Sequence, residues 1–133
     1  VAAFSSWNGL GLHHGEACVM SDARRGGWTW GRLENGVLTD VPAVLPAEQA
    51  RASVAECMGK GVPVFSTETA EHLAAREMSG IVPVYPSAEA LGAAWLSLAE
   101  ARREELLESP AEPLYVRAPH ITRAKRPAWA VKA

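Results

Sequence analysis

The fold is decided by residues 21–32, which read SDARRGGWTWGR. The apolar run at 17–20 leads into this stretch and ends in an aspartate, which is typical of a buried strand. The Gly26-Gly27 pair follows two arginines and supplies the backbone freedom that a tight turn needs. The aromatic residues after the turn predict a return strand over residues 28–33. The stretch therefore predicts an antiparallel hairpin.

Strand and helix patterns alternate downstream of this hairpin. The Asn35-Gly36 pair is a strong turn signal and predicts a third strand over residues 37–41. Helix, strand, helix, strand and helix patterns then follow at 47–58, 62–66, 69–78, 81–85 and from 87 onward. The order βββαβαβα predicts an α/β, ribonuclease H-like fold with a mixed five-stranded sheet and helices on its faces. Upstream of the hairpin, the apolar spacing over residues 4–13 suits a short helix.

The composition of the chain is that of one globular domain. It has 133 residues, 48% of them hydrophobic, and a net charge of −2. The whole chain lacks the excess of Lys and Arg that coating nucleic acid requires, and its apolar runs are shorter than the roughly 20 residues of a membrane span. No signal-peptide pattern opens the chain. We expect a cytoplasmic protein with no membrane partner, formed by one domain at 1–116 and a basic, proline-containing, partly disordered tail at 117–133.

The two cysteines, Cys18 and Cys57, both lie in apolar surroundings in the sequence. In a chain of this size without a secretion signal, they are most simply reduced thiols in the core. A disulfide between them is the alternative.

Asp22 is the most informative carboxylate, since it ends the first predicted strand just before the turn. In ribonuclease H-like nucleases and actin-like ATPases, an acidic residue at this place helps to hold a divalent ion. Such a site needs several carboxylates, and the sequence offers no partner in a matching position. We therefore expect Asp22 to accept backbone hydrogen bonds in the turn, or to pair with Arg24 or Arg25.

The histidines also point away from a metal site. His13 and His14 are adjacent and project in different directions, Glu16 follows them, and His72 and His120 are isolated in the sequence. We predict no metal, no cofactor and no catalytic residue in this chain, and hence no enzymatic activity of its own.

The large apolar residues of the first thirty positions form the candidate interface. Trp28 and Trp30 alternate with a threonine, so both side chains point to one face of the sheet. Packing or an interface is the simpler interpretation, and stacking on nucleic-acid bases is the alternative. The remaining members of the candidate interface are Phe4, Trp7 and Leu10.

Two motifs, at 22–26 (DARRG) and 113–117 (PLYVR), resemble the TsaB (YeaZ) family of glycoprotease-like proteins of bacterial tRNA modification. Family members carry an Asp-Ala-Arg-x-Gly-Glu turn leading into an aromatic strand and end in a Pro-Leu-Tyr-Leu-Arg-like segment. The matching residues here are Asp22, Ala23, Arg24, Gly26, Pro113, Leu114, Tyr115 and Arg117. The chain departs from the pattern at Gly27, where the family commonly has Glu, and at Asn8-Gly9, where it commonly has Glu-Ala.

The resemblance spans nearly all of the chain but only the C-terminal half of the family's length. It implies a non-catalytic scaffold subunit in the synthesis of threonylcarbamoyladenosine in tRNA, working with the catalytic paralogue TsaD and the ATPase TsaE. Because the chain begins with Val1, we expect a fragment or a processed product whose exposed apolar surface favours self-association. The alternatives are a glycoprotease-like metallohydrolase, and a nucleic-acid-binding lobe that contacts tRNA directly through its basic tail.

Overall fold

The computed structural model describes residues 4–12, 15–113 and 116, and it has the α/β class expected from the sequence. Three predictions concern residues outside this described part. They are the tail at 117–133 with His120, the pair His13-His14, and the three motif residues Leu114, Tyr115 and Arg117.

The described residues form six strands, four α-helices and one 3₁₀ turn. The 3₁₀ turn is Ser6–Gly9, and the other elements in chain order are β1 (Glu16–Asp22), β2 (Gly27–Glu34), β3 (Val37–Leu38), β4 (Ala43–Pro46), α1 (Ala47–Gly59), β5 (Val64–Ser66), α2 (Ala70–Ala75), β6 (Val82–Pro83), α3 (Ala88–Ser97) and α4 (Glu100–Glu108).

The sheet is mixed and has the order β3-β2-β1-β5-β6. Strand β1 pairs antiparallel with β2 and parallel with β5, and β5 pairs parallel with β6. The predicted hairpin is confirmed, because Asp22 lies opposite Trp28 and the ladder continues to Glu16 opposite Glu34. The parallel pairing brings together strands that are far apart in the chain.

The third strand is shorter than the predicted span 37–41, so the sheet has six strands rather than five. The ladder with β2 includes only Val37 and Leu38, and the last backbone bond to β2 runs from the amide of Thr39 to the carbonyl of Arg32. Pro42 has no amide hydrogen to donate to the ladder. Pairing with β2 resumes in β4, where Leu45 lies opposite Trp28.

The helix starts follow local capping chemistry, whereas two helix ends differ from the prediction, since α2 ends at Ala75 rather than at residue 78. The side chains of Thr69 and Ser87 accept hydrogen bonds from the amides of His72 and Ala90, at 3.2 Å and 3.1 Å. The long helix expected from residue 87 is divided, because Leu98 is extended with ψ of 146°. The Ser97 hydroxyl donates to the carbonyl of Ala94, a local bond that competes with the helix ladder. The predicted N-terminal helix over 4–13 is a single 3₁₀ turn.

Both faces of the sheet are covered, as the sequence predicted. Side chains alternate along β1, so Cys18 and Met20 face α1 and α2, while Ala17 and Val19 face the opposite side. The 3₁₀ turn covers that opposite face, and α3 packs on the turn through a hydrogen bond from the Ser87 amide to the Gly9 carbonyl. The buried core on the α1 face comprises Cys18, Met20, Trp28, Ala50, Val54, Val64, Leu73, Met78 and Ile81.

The turn between β1 and β2 is built from left-handed residues. Arg24, Arg25 and Gly26 have φ angles of 62°, 52° and 75°. The amide of Gly27 donates to the carbonyl of Arg24 at 3.0 Å, which closes a β-turn with two positive φ angles at its centre. This geometry matches the twist of a hairpin but is unfavourable for arginine.

We expect Arg25→Gly to raise the free energy of unfolding by about 0.5 to 1 kcal/mol, because glycine adopts positive φ without steric cost. Arg25 is exposed, so the change removes little packing. Urea unfolding followed by circular dichroism measures the effect. In the matched control, Arg102→Gly in right-handed α4, we expect a loss of about 1 kcal/mol. An equal loss of stability in Arg25→Gly and Arg102→Gly would contradict the conclusion that positive φ is unfavourable at Arg25.

No helix in the described part of the chain is long and apolar enough to cross a membrane.

Candidate functional site

The candidate site lies at the carboxyl ends of the parallel strands β1 and β5. These ends are adjacent because Met20 pairs with Ser66 in the parallel ladder. Asp22 closes β1, and Thr67 and Glu68 follow β5 directly. In open α/β sheets, ligands usually bind in the crevice outside the carboxyl ends of the strands.

The carboxylate of Asp22 is the centre of the cluster. One oxygen, Oδ1, accepts the amide hydrogen of Arg24 at 2.6 Å, which stabilises the left-handed turn. The other, Oδ2, lies 2.8 Å from Nε2 of His72 and 3.6 Å from Nη2 of Arg76. The backbone amide of Asp22 donates to Oε1 of Glu68 at 3.0 Å. The cluster therefore joins the hairpin turn to helix α2 and to the segment after β5.

The environment of Asp22 favours its ionised form. Its side chain is 15% exposed. Burial alone would raise the pKa of Asp22, but the hydrogen bonds from the Arg24 amide and from His72, with the charge of Arg76, together lower that pKa below its usual value. Asp22 is therefore a carboxylate at neutral pH and attracts the guanidinium of Arg76 by charge.

The position of His72 follows from the cap of α2 and from a buried aromatic ring. Helix α2 begins after Thr69, whose hydroxyl accepts the amide of His72. The imidazole lies with its ring centroid 6.2 Å from that of Trp28, in a tilted arrangement. Trp28 stands opposite Asp22 in the β1–β2 ladder, so one tryptophan supports both members of the pair.

A shallow cavity of about 350 Å³ opens over the cluster, lined by Asp22, Arg24, Glu68, His72 and Arg76. Its guanidinium groups are able to bind an anionic or carboxylate-bearing group, and its imidazole is able to carry a proton. Among the residues that the structure describes, no group of three or more His, Cys, Asp or Glu side chains is arranged to hold a metal ion.

The sequence predicted some of the contacts of Asp22 and not others. Its prediction as a backbone hydrogen-bond acceptor in the turn is confirmed. The alternative, an ion pair with the side chain of Arg24 or Arg25, is not the one observed, because His72 and Arg76 contact the carboxylate. His72, which the sequence analysis treated only as a histidine without neighbouring metal ligands, is brought to Asp22 by the fold. The parallel pairing of the first strand with the strand before α2 was the signal that could have identified both residues.

The remaining predicted residues are distributed between core and surface. Trp28 is 2% exposed and Leu10 is also buried, so both pack the interior of the structure. Phe4, Trp7 and Trp30 are half-buried and retain some accessible surface. Pro113 is exposed at the end of the last continuously described segment, Gly26 lies in the turn, and Ala23 precedes the turn with its amide donating to Gly27.

Comparison with family models, with curated proteins and with solved structures finds no match to this chain.

Proposed function

We propose that this chain is the C-terminal, ribonuclease H-like lobe of a TsaB-type protein. In this proposal it acts as a non-catalytic scaffold in the synthesis of threonylcarbamoyladenosine in tRNA. It would support a TsaD-like catalytic paralogue, together with a TsaE-like ATPase. Its own chemistry would be limited to protein–protein contact in the cytoplasm.

One observation carries this proposal: the Asp-Ala-Arg motif lies at the end of β1 in a sheet of order β3-β2-β1-β5-β6. Three antiparallel strands followed by two parallel ones are the arrangement expected of a ribonuclease H-like lobe. Here β1 is antiparallel to β2, β2 to β3, and β5 and β6 run parallel to β1. The position of the motif and the order of the strands therefore both support the proposal.

The contacts of the motif residues favour a framework role. The Asp22 carboxylate bonds the turn amide and pairs with His72 and Arg76 from another element. The residue at the position that holds a metal ion in related nucleases is thus engaged in cross-linking the hairpin to α2. This use of Asp22 suits a scaffold subunit better than a catalytic one.

The test is co-purification of the complete gene product with the TsaD-like paralogue of the same organism. We expect the two proteins to elute together, and deletion of the gene to abolish threonylcarbamoyladenosine in digested tRNA measured by mass spectrometry. Arg24→Glu, at the exposed turn, tests whether the motif region contacts the partner, and Arg102→Glu on exposed α4 serves as the control. Absence of binding together with unchanged tRNA modification would overturn the proposal.

The same preparation distinguishes the other two functions considered for this chain. A stoichiometric metal with metal-dependent peptidase activity would indicate a metallohydrolase. A salt-dependent shift of tRNA that disappears when residues 117–133 are removed would indicate direct nucleic-acid binding. If either result is obtained and the protein does not bind the paralogue, the corresponding function takes the place of the scaffold proposal.

A further inference from the structure

The two cysteines of the sequence meet across the interface between the sheet and the first helix. Cys18 lies in β1 and Cys57 in the last turn of α1, 39 residues later, with their Sγ atoms 3.4 Å apart. Both are free thiols, as the sequence predicted. Their surroundings differ, since Cys18 is 2% exposed and Cys57 is half-buried.

Backbone hydrogen bonds join both cysteines to the short connection between α1 and β5. The amide of Val62 donates to the carbonyl of Cys57 at 2.8 Å, and the amide of Cys18 donates to the carbonyl of Pro63 at 3.0 Å. Adjacent residues of the α1–β5 connection therefore bond to the two cysteines. This arrangement fixes the distance between the two backbones independently of the side chains.

The packing of α1 sets the direction in which Cys57 points. Ala50 and Val54 are buried against the sheet, and Cys57 continues their stripe three residues later. The stripe ends over Cys18, which faces α1 from β1. The contact between the two sulfur atoms is therefore a product of the core and not of a mobile loop.

The pair is reachable from one side. A surface pocket of about 400 Å³ is lined by both cysteines and by charged residues that include Arg32, Glu56 and Lys60. Burial, with the neighbouring Cys57, raises the pKa of Cys18 to about 12, so Cys18 remains a thiol at neutral pH. Cys57, the more exposed of the two, is the group that an oxidant in this pocket meets first.

We propose that Cys18 and Cys57 are a modification site that forms a reversible intramolecular disulfide with a low-molecular-weight disulfide such as oxidised glutathione. Cys57 gives its proton to solvent as its sulfur attacks one sulfur of the oxidant, which forms a mixed disulfide and releases one glutathione thiolate that takes up a proton. Cys18 then transfers its proton to solvent and attacks Sγ of Cys57, which releases the second glutathione. Two protein thiols are oxidised and one oxidised glutathione is reduced to two thiols.

The proposal goes beyond the scaffold function and does not depend on it. The disulfide would close a loop of 39 residues between β1 and α1 and so restrict the unfolded chain. The oxidised protein should therefore melt at a higher temperature than the reduced protein, by roughly 10 °C. Formation of the disulfide would make the α1 face of the sheet more rigid without changing the charged cluster around Asp22 at the other end of β1.

The experiment treats the reduced, folded chain with oxidised glutathione and counts free thiols with a chromogenic reagent. We expect the count to fall from two to zero, the intact mass to fall by two hydrogens, and a proteolytic peptide pair to link Cys18 to Cys57. Dithiothreitol should restore both thiols and the lower melting temperature. Retention of both thiols by the folded protein, or cross-linking of Cys57 between two chains, would overturn the proposal.

Two variants separate the roles of the thiols. In Cys18→Ser, Cys57 should accumulate as the glutathione mixed disulfide, because the resolving thiol is missing. In Cys57→Ser, the buried Cys18 should stay unmodified. Wild-type protein that accumulates the mixed disulfide as Cys18→Ser does would show that Cys18 cannot reach Cys57, and the proposal would fail even if either variant folded poorly.

Discussion

Gly31→Val is expected to lower the free energy of unfolding by about 3 kcal/mol, because the side chain would overlap a packed ring. A Cβ atom at Gly31 would lie 2.6 Å from Cζ3 of Trp7 and 3.0 Å from Cδ1 of Leu38. The indole of Trp7 therefore packs directly on the backbone of β2, where only glycine leaves room. Urea unfolding followed by far-ultraviolet circular dichroism measures the loss without relying on the tryptophan signal.

Gly92→Ala provides the matched glycine control. In the described part of the chain, no atom outside the local helix lies within 4 Å of a Cβ built at this position in α3. We expect this variant to gain about 1 kcal/mol of stability, since alanine favours a helix over glycine. The two substitutions should therefore have opposite signs.

A second variant shows which contact is responsible for the effect at Gly31. If Trp7 causes the clash, Trp7→Ala should make the Gly31→Val substitution far less costly, so the two changes are strongly non-additive. A Gly31→Val protein as stable as the wild type would mean that Trp7 moves aside easily. In that case the ring would be free for the interface expected from the sequence.

Asp22→Ala is expected to destabilise the protein by about 2 kcal/mol, because it removes the acceptor of two hydrogen bonds and the anion of an ion pair. The amide of Arg24 would lose its partner in a left-handed turn, and His72 and Arg76 would lose their anion. Asp22→Asn keeps an oxygen acceptor for the turn amide, but it removes the charge and replaces the oxygen that faces His72 with an NH₂ group. In urea unfolding, the free energy of unfolding of Asp22→Asn should lie between that of the wild type and that of Asp22→Ala.

The same carboxylate predicts a dependence on acid. The pKa of Asp22 is lower in the folded protein than its usual value of 3.8, so the folded state binds fewer protons than the unfolded state near that pH. The contribution is fully present above pH 3.8 and is lost as the pH falls through the folded value. The stability difference between wild type and Asp22→Asn should therefore shrink on acidification.

Glu105→Gln is the control for a surface ion pair. Glu105 pairs with Arg102 on exposed α4, and such pairs contribute little. An effect of this variant as large as that of Asp22→Ala would mean that general surface charge, and not the cluster at the end of β1, determines stability. A stability difference between wild type and Asp22→Asn that does not change on acidification would contradict the lowered pKa of Asp22.

The elements that the sequence predicted well are those determined by neighbouring residues. The turn at 24–27 needs residues that tolerate positive φ, and the Asn35-Gly36 pair adopts it with φ angles of 50° and 81°. Thr69 and Ser87 cap helices within their own first turns. These interactions span two to four residues, so a linear pattern contains all the information that they need.

The errors arose where a distant part of the chain competes with a local preference. Residues 39–42 continue a strand pattern, but they leave the ladder before Pro42 and rejoin β2 further along. Leu98 lies in a helical pattern, but its extended backbone separates α3 from α4. Trp28 was predicted to serve in packing or in an interface, and the fold decides for packing, since it is buried in the core beside His72.

The sequence by itself determined the hairpin, the alternation of helix and strand after it and the position of Asp22 at a strand end, because turn geometry, capping and side-chain alternation are local. Only the tertiary structure decided which residues meet Asp22. His72 lies 50 residues away along the chain, and Cys57 lies 39 residues from Cys18. Both meetings depend on the parallel pairing of β1 with β5 and on the packing of the helices beside it, and the energy of that pairing comes from the whole core.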